Sequence, residues 1–328
     1  MDQMKDKLRT AIIGMGFWGR NHLRVLDEIT DAEVVAVCDI NPERAKSAAE
    51  KYGVKAYVNS SGMLRREDID AVTICVWSTN LAGEALKALR SGKHVFVEKP
   101  MASTIREARR ILRAAEERKL LLEVGFIERF NPGVRRLKEM IDGGEIGSVV
   151  SALARRVSRW PERIGDVGVI KDTAIHDIDM MRYIFGEDPV AVYAKAGSLR
   201  HRRFEDYAQI MLAFSGGRTA FIEANWLTPY KVRRLIVTGS NAILTLDYIT
   251  QEMTIETEGE TLTPREEWRE PLKLELQHFV RCVLEGRKPL VTGLDGLKAL
   301  IIAEAALRSA ERGSVVRLER LWRLTRPP

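Results

Sequence analysis

The chain has 328 residues, 45% of them hydrophobic and 30% charged, which suits a water-soluble globular protein with length enough for two domains. No run of about 18 uncharged apolar residues occurs, which excludes a membrane-spanning helix, and the opening "MDQMKDKLRT" lacks the apolar core of a signal peptide, so a cytoplasmic protein is expected. The net charge of +6 comes without the aromatic-basic platform that nucleic-acid binding needs, and three widely spaced cysteines, Cys38, Cys75 and Cys282, argue against a disulfide framework and a zinc site.

Up to about residue 127, short apolar runs alternate with amphipathic stretches. "RTAIIGMG", "EVVAVCD", "AVTICVW", "KHVFVE" and "LLLEVGF" read as strands, and their continuous apolar character suits a parallel sheet covered on both faces. Between them "FWGRNHLRVLDEI", "NPERAKSAAEKYG", "NLAGEALKALRSG" and "STIREARRILRAAEERK" have helical spacing, with helix-stop glycines at Gly53 and Gly92. This is the rhythm of a doubly wound α/β fold of the Rossmann type. Residues 1–127 are therefore expected to form one domain and 128–328 a second.

The first strand runs into "GMGFWG", where Gly14, Gly16 and Gly19 give the G-x-G-x-x-G spacing. Gly14 permits a tight turn, Gly16 lets the backbone approach a pyrophosphate, and Gly19 allows helix to pack closely on strand. Glycines alone often mean only a turn. Asp39, however, ends the second strand 20 positions after Gly19, where a carboxylate accepts hydrogen bonds from an adenine-ribose diol. A 2′-phosphate would be repelled there, which favours NAD over NADP, while Arg44 either covers the adenine or faces solvent. Further on, "GKHVFVEKPMA" ends a strand with Glu98, Lys99 and Pro100. Ligands of open α/β sheets sit outside the carboxyl ends of strands, so Lys99 points toward the nicotinamide end of the cleft.

Beyond residue 145 the pattern changes. "SVVSALARRV", "AVYAKAG", "YAQIMLAF", "TAFIEANW", "RRLIVTGS" and "AILTLDYI" read as strands, several with period-two alternation, and helices are expected near 173–185, 272–286 and 295–312. Within "VIKDTAIHDIDMMRYIF" the spacing puts Asp172, His176 and Asp179 on one helix face, with Asp172 a plausible cap and Asp177 turned toward solvent or a neighbouring strand.

The glycine fingerprint, Asp39, "STN" at 78–80, "GKHVFVEKP" and "DTAIHDID", in this order and spacing, resemble the glucose-fructose oxidoreductase, inositol dehydrogenase and MocA family over essentially the whole chain. The resemblance implies an N-terminal Rossmann domain followed by an α+β domain with a large open, mostly antiparallel sheet, through which homodimers or homotetramers form. It also implies an NAD-dependent dehydrogenase whose catalytic residues are Lys99, Asp172 and His176. The candidate cofactor contacts are Gly14, Gly16, Phe17, Trp18, Gly19, Asp39, Trp77, Ser78, Thr79, Asn80, Glu98 and Lys99. Family members often read T-P-N-x-x-H where this chain has "STNLAG", a departure that bears on nicotinamide packing. The chemistry suits the trio, because oxidising a secondary alcohol requires a base near neutrality, here His176, and a cation such as Lys99 to polarise the oxygen. It needs no metal.

The stretches 125–140 and 154–186 are similar to the branch of the family that oxidises the 3-hydroxyl of UDP-N-acetylglucosamine. A nucleotide-sugar substrate is the expectation, with Arg129, Asn131, Arg163 and Asp179 as candidate contacts; Asn131 equally suits a cap for the following helix. UDP-N-acetylglucosaminuronate, a polyol such as inositol, and a non-catalytic NAD-binding regulator are the alternatives.

Overall fold

The computed structural model describes residues 7–66, 68–161, 166–264 and 267–325. They fall into two compact units, Met1–Phe126 with Leu272–Leu297, and Ile127–Pro271 with Lys298–Pro328.

The first unit is built from β1 (Leu8–Ile13), α1 (Phe17–Glu28), β2 (Ala32–Cys38), α2 (Pro42–Tyr52), β3 (Lys55–Tyr57), α3 (Ser60–Leu64), β4 (Ala71–Ile74), α4 (Ser78–Arg90), β5 (His94–Val97), α5 (Ile105–Arg118) and β6 (Leu122–Val124). The strands form one sheet in the order β3-β2-β1-β4-β5-β6, parallel throughout. Local chemistry fixes the helix ends. Asn41 caps α2 by accepting from the Glu43 and Arg44 amides, Pro42 opens that helix, and Gly53 closes it with φ 68°. Thr104 and Glu107 form a reciprocal capping box at the start of α5. The five strands read from the sequence are present, but β3 is an addition. Its three residues are exposed or half-buried, so it lacks the apolar run that marks the others.

The second unit starts with α6 (Pro132–Asp142), β7 (Val149–Val157), a five-residue π-helical turn at Ile170–Ala174 and α7 (Ile175–Phe185). It continues with β8 (Ala191–Gly197), β9 (Tyr207–Ala213), β10 (Thr219–Asn225), β11 (Val232–Gly239), β12 (Ile243–Asp247), β13 (Met253–Glu256) and β14 (Thr261–Leu262). After these in chain order come α8 (Pro271–Leu284), which from Leu272 on belongs to the first unit, α9 (Gly293–Arg312), divided between the two units, and β15 (Val316–Arg317) of the second. The nine-stranded sheet has the order β14-β13-β12-β11-β7-β10-β9-β8-β15. β7 and β10 run parallel, and the other neighbours are antiparallel.

Alternation divides the faces of this sheet. Ala152, Ala154, Ile210, Leu212, Ala220, Ile222, Leu235 and Val237 are buried. On the opposite face the register aligns Tyr193, Met211, Phe221, Leu153 and Ile236 in one cross-strand row. Phe221 and Leu153 in that row are 46% and 43% exposed, so it is an apolar stripe with no covering layer within the described chain.

Residues 272–297 were expected in the second domain, yet they cluster with the first unit. The reason is α8, which sets Phe279 edge-on to Phe96 of β5 at 5.6 Å and pairs Lys273 with Glu28 of α1. The same layer buries Glu123 of β6, fully inaccessible, with neither carboxylate oxygen hydrogen-bonded among the described residues. Burial pushes this carboxyl well above its ordinary value of 4.5, so the folded protein holds it protonated. The unfolded chain releases that proton once the pH passes 4.5, and the stability difference is therefore complete below that pH and lost as pH rises toward the folded value. Glu123→Met should accordingly stabilise the protein at pH 8 by about 1–3 kcal/mol, with the gain shrinking toward pH 4. Thermal unfolding across that range checks it, and an equal or lower melting temperature for the variant at pH 8 would refute the buried-acid account.

Candidate active site

In the first unit the turn between β1 and α1 is held to a conformation only glycine tolerates. Gly14 has φ +95°, and a Cβ there would lie 2.5 Å from the Cys75 carbonyl oxygen. A Cβ on Gly19 would collide with the Gly14 carbonyl. Gly16 caps α1 without any side-chain hydrogen bond to its first amides, which leaves that helix end suited to an anionic oxygen. Asp39 is fixed beside it, its Oδ2 accepting from the Met15 amide at 2.7 Å and its Oδ1 from the Asn41 amide at 2.8 Å. A carboxylate offers about four acceptor positions, so two amides leave capacity for ribose hydroxyls. Around these strand ends Phe17 and Trp18 are 65% and 42% exposed and Trp77 is 39% exposed, flat apolar surfaces of the kind a dinucleotide's rings cover. Ser78 is half-buried, and Thr79 and Asn80 are exposed in the first turn of α4.

Glu98 and Lys99 follow β5, and the Lys99–Pro100 peptide is cis. Glu98 is fixed by a residue that sequence reasoning passed over. His22, fully buried on α1, brings Nε2 to 3.1 Å from Glu98 Oε1, and the Lys99 amide donates to Glu98 Oε2 at 3.2 Å. The available signal was His22 standing three residues after Gly19, one turn along the same helix face. Lys99 is half-buried.

In the second unit Asp172, His176, Asp177 and Asp179 of "KDTAIHDID" separate into two pairs. Asp172 in the π-helical turn and His176 in the first turn of α7 are half-buried. Asp177 and Asp179 are buried, at 0% and 1% exposure. Asp177 takes a forked contact from Arg156 of β7, Nε at 2.8 Å and Nη2 at 3.1 Å, and so faces the neighbouring strand. Arg156 also donates to Glu128 at 2.9 Å. Burial works against its charge, but the two carboxylates outweigh that and hold the guanidinium protonated. Asp179 takes a second fork from Arg129, Nε at 2.7 Å and Nη2 at 2.6 Å, and Arg182 approaches it at 3.4 Å.

The π-helical turn has its own supports. Trp226, the residue after β10, donates Nε1 to Thr173 Oγ1 at 2.9 Å, and the Ile170 amide donates to Glu205 Oε1 at 3.1 Å. Asn131 is fully buried, caps α6 through the Gly133 amide and donates Nδ2 to the Tyr248 carbonyl at 2.9 Å. Of its two readings, the cap is the one the geometry realises. Arg163 lies outside the described residues.

Residues 8–126 match the oxidoreductase family with an NAD-binding Rossmann fold, and residues 134–245 match the GFO/IDH/MocA C-terminal domain. The chain belongs to the GFO/IDH/MocA family. It is an NAD-dependent dehydrogenase, and the glycine turn, the uncapped start of α1 and Asp39 are the features that fit NAD. The chain is 30% identical to a myo-inositol 2-dehydrogenase of Thermotoga maritima, over 95% of this chain and 99% of that one. Among solved structures, the UDP-N-acetylglucosamine 3-dehydrogenase of Acidithiobacillus ferrooxidans is 25% identical with a TM-score of 0.86, covering 93% of this chain and 98% of that one. An oxidoreductase of Agrobacterium radiobacter in complex with NAD+, L-tartaric acid and magnesium shares the fold, with a TM-score of 0.89 at 20% identity and coverage of 96% and 99%.

Proposed function

We propose that this GFO/IDH/MocA protein oxidises the 3-hydroxyl of UDP-N-acetylglucosamine to the 3-keto nucleotide sugar. The observation that carries the reading is the division within one segment. Asp177 and Asp179 are consumed by buried arginines, whereas Asp172 and His176 stay half-buried on a π-helical turn and a helix start that the core holds rigidly. In this reading His176 accepts the hydroxyl proton, a positioned base of this kind contributing about 10² to 10⁴ in rate. Asp172 orients the imidazole or the sugar, and the Lys99 ammonium polarises the same oxygen and stabilises its developing negative charge. Bound NAD supplies the acceptor for the hydride. Arg129, Asn131 and Asp179 are assigned to the support of α7 and α6 rather than to the sugar. The apolar stripe of the nine-stranded sheet is assigned to a second copy of the chain, and a monomeric mass in light scattering would remove that assignment.

The similarity to the Acidithiobacillus enzyme supports the nucleotide sugar. A second reading, oxidation of a free cyclitol, is favoured by the name of the Thermotoga relative. Following NADH formation with UDP-N-acetylglucosamine, UDP-N-acetylglucosaminuronate, myo-inositol and scyllo-inositol separates them. Robust turnover of an inositol with none of either nucleotide sugar would reject the first reading.

A further inference from the structure

At the end of the nine-stranded sheet beside the π-helical turn, the register lines up an unusual set of cations on the helix-covered face. Arg233 of β11 lies opposite Arg156 of β7, which in turn lies opposite Ala224 of β10. Alternation places Lys231 on the face of Arg233 and Trp226 on that of Ala224. The Trp226 bond to Thr173 brings the residues flanking Asp172 over this end. Trp160 stands edge-on to Trp226 with centroids 6.3 Å apart, and the Arg200 guanidinium lies 4.6 Å above the Trp160 ring.

The charges at this end do not balance internally. Arg156 takes Asp177 and Glu128 at 2.8 and 2.9 Å, and Glu128 also meets Asn131. Arg233 is left with Glu128 at 3.7 Å, and among the described residues Lys231 forms no ion pair. Burial first, and then the neighbouring Arg156 charge, pushes the Arg233 guanidinium below its usual range, while Asp172 is near enough to oppose that shift. Burial and then the Arg233 charge push the Lys231 ammonium down in the same way. Adjacent like charges repel, and an anion bound between them relieves both.

We propose that Lys231 and Arg233 form a subsite for the diphosphate of the substrate, with Trp160 beside it. This deepens, and rests on, the nucleotide-sugar reading above. The arginine fork matches two phosphate oxygens and the lysine supplies a point charge to a third, and the Trp226–Thr173 bond sets this end of the sheet beside the π-helical turn that carries Asp172.

The test uses the full chain, with UDP as the probe in calorimetric titration and UDP-N-acetylglucosamine in steady-state kinetics, on the wild type, Lys231→Met, Arg233→Met and Arg233→Lys. Thermal unfolding and NAD titration report whether each variant is intact. Loss of one charge-assisted contact weakens UDP binding by about 10- to 100-fold. KM for the nucleotide sugar rises by a similar factor, with kcat changed less than about threefold. Lys231→Met alters a solvent-exposed side chain, so it keeps the test open if Arg233→Met fails to fold. No measurable UDP binding by the wild type, or UDP affinity unchanged in Lys231→Met and in the folded Arg233 variant, overturns the subsite. A fall in kcat with UDP affinity intact also overturns it, because Arg233 would then act through Asp172. A wild type that binds UDP through these residues but oxidises no nucleotide sugar supports the subsite and removes the substrate assignment instead.

Discussion

His176→Ala is expected to lower kcat by about 10² to 10⁴ while leaving NAD affinity and the melting temperature close to wild type. The imidazole is half-buried in the first turn of α7, so its removal opens no core cavity. The Rossmann residues that fit the dinucleotide lie in the other unit. Two accompanying variants make the assignment discriminating. Lys99→Met should lower turnover, because in the proposed reading it removes the cation that stabilises the developing alkoxide. Asp172→Asn should shift the pH at which turnover is half-maximal, since the carboxylate that orients or charges the base is gone. Survival of more than about a tenth of wild-type kcat in His176→Ala would show that another group takes the proton, because a base worth no more than about tenfold lies outside the range for positioned general catalysts.

What could be read from the sequence follows from how local each feature is. The parallel sheet, the glycine turn and Asp39 are set by contiguous residues, and the apolar runs and G-x-G-x-x-G spacing placed them correctly. β3 was missed because its residues "KAY" bury little, and the transfer of 272–297 to the first unit was invisible because only the Phe279–Phe96 contact reveals it. The expected helix near 173–185 is a π-helical turn at Ile170–Ala174 followed by α7, a distinction that hydrophobic spacing does not encode. Helical spacing placed Asp172, His176 and Asp179 on one face, but burial separates them, since Asp179 meets Arg129 fifty positions away. The stretch "LRHRRFED" at 199–206 has no apolar periodicity. In the structure Asp206 gathers the amides of Leu199, Arg200 and His201, and Glu205 reaches Ile170 of the π-helical turn. Partners separated this far in sequence leave no periodic trace.

Asp177→Ala is the substitution expected to cost most in stability. It leaves the Arg156 guanidinium, 3% exposed, facing Glu128 alone, and breaking a buried ion pair from one side typically costs about 3–5 kcal/mol. The loss comes chiefly from the stranded charge rather than from the missing contact, which the double variant isolates. In Asp177→Leu with Arg156→Met both charges go and the volume stays filled, so the pair should be less destabilising than Asp177→Ala alone, with Glu128 turning to Arg233, already 3.7 Å away. Arg113→Ala gives the contrast, because its pair with Glu117 is exposed on both sides, at 62% and 63%, and should change stability by no more than about 0.5 kcal/mol. Thermal unfolding of these three variants and the wild type measures the differences. If Asp177→Ala were as mild as Arg113→Ala, the buried fork would not be anchoring α7, and the rigid placement of His176 would need another cause. If the double variant folds stably but loses kcat, the ion pair holds the base in register as well as holding the helix to the sheet.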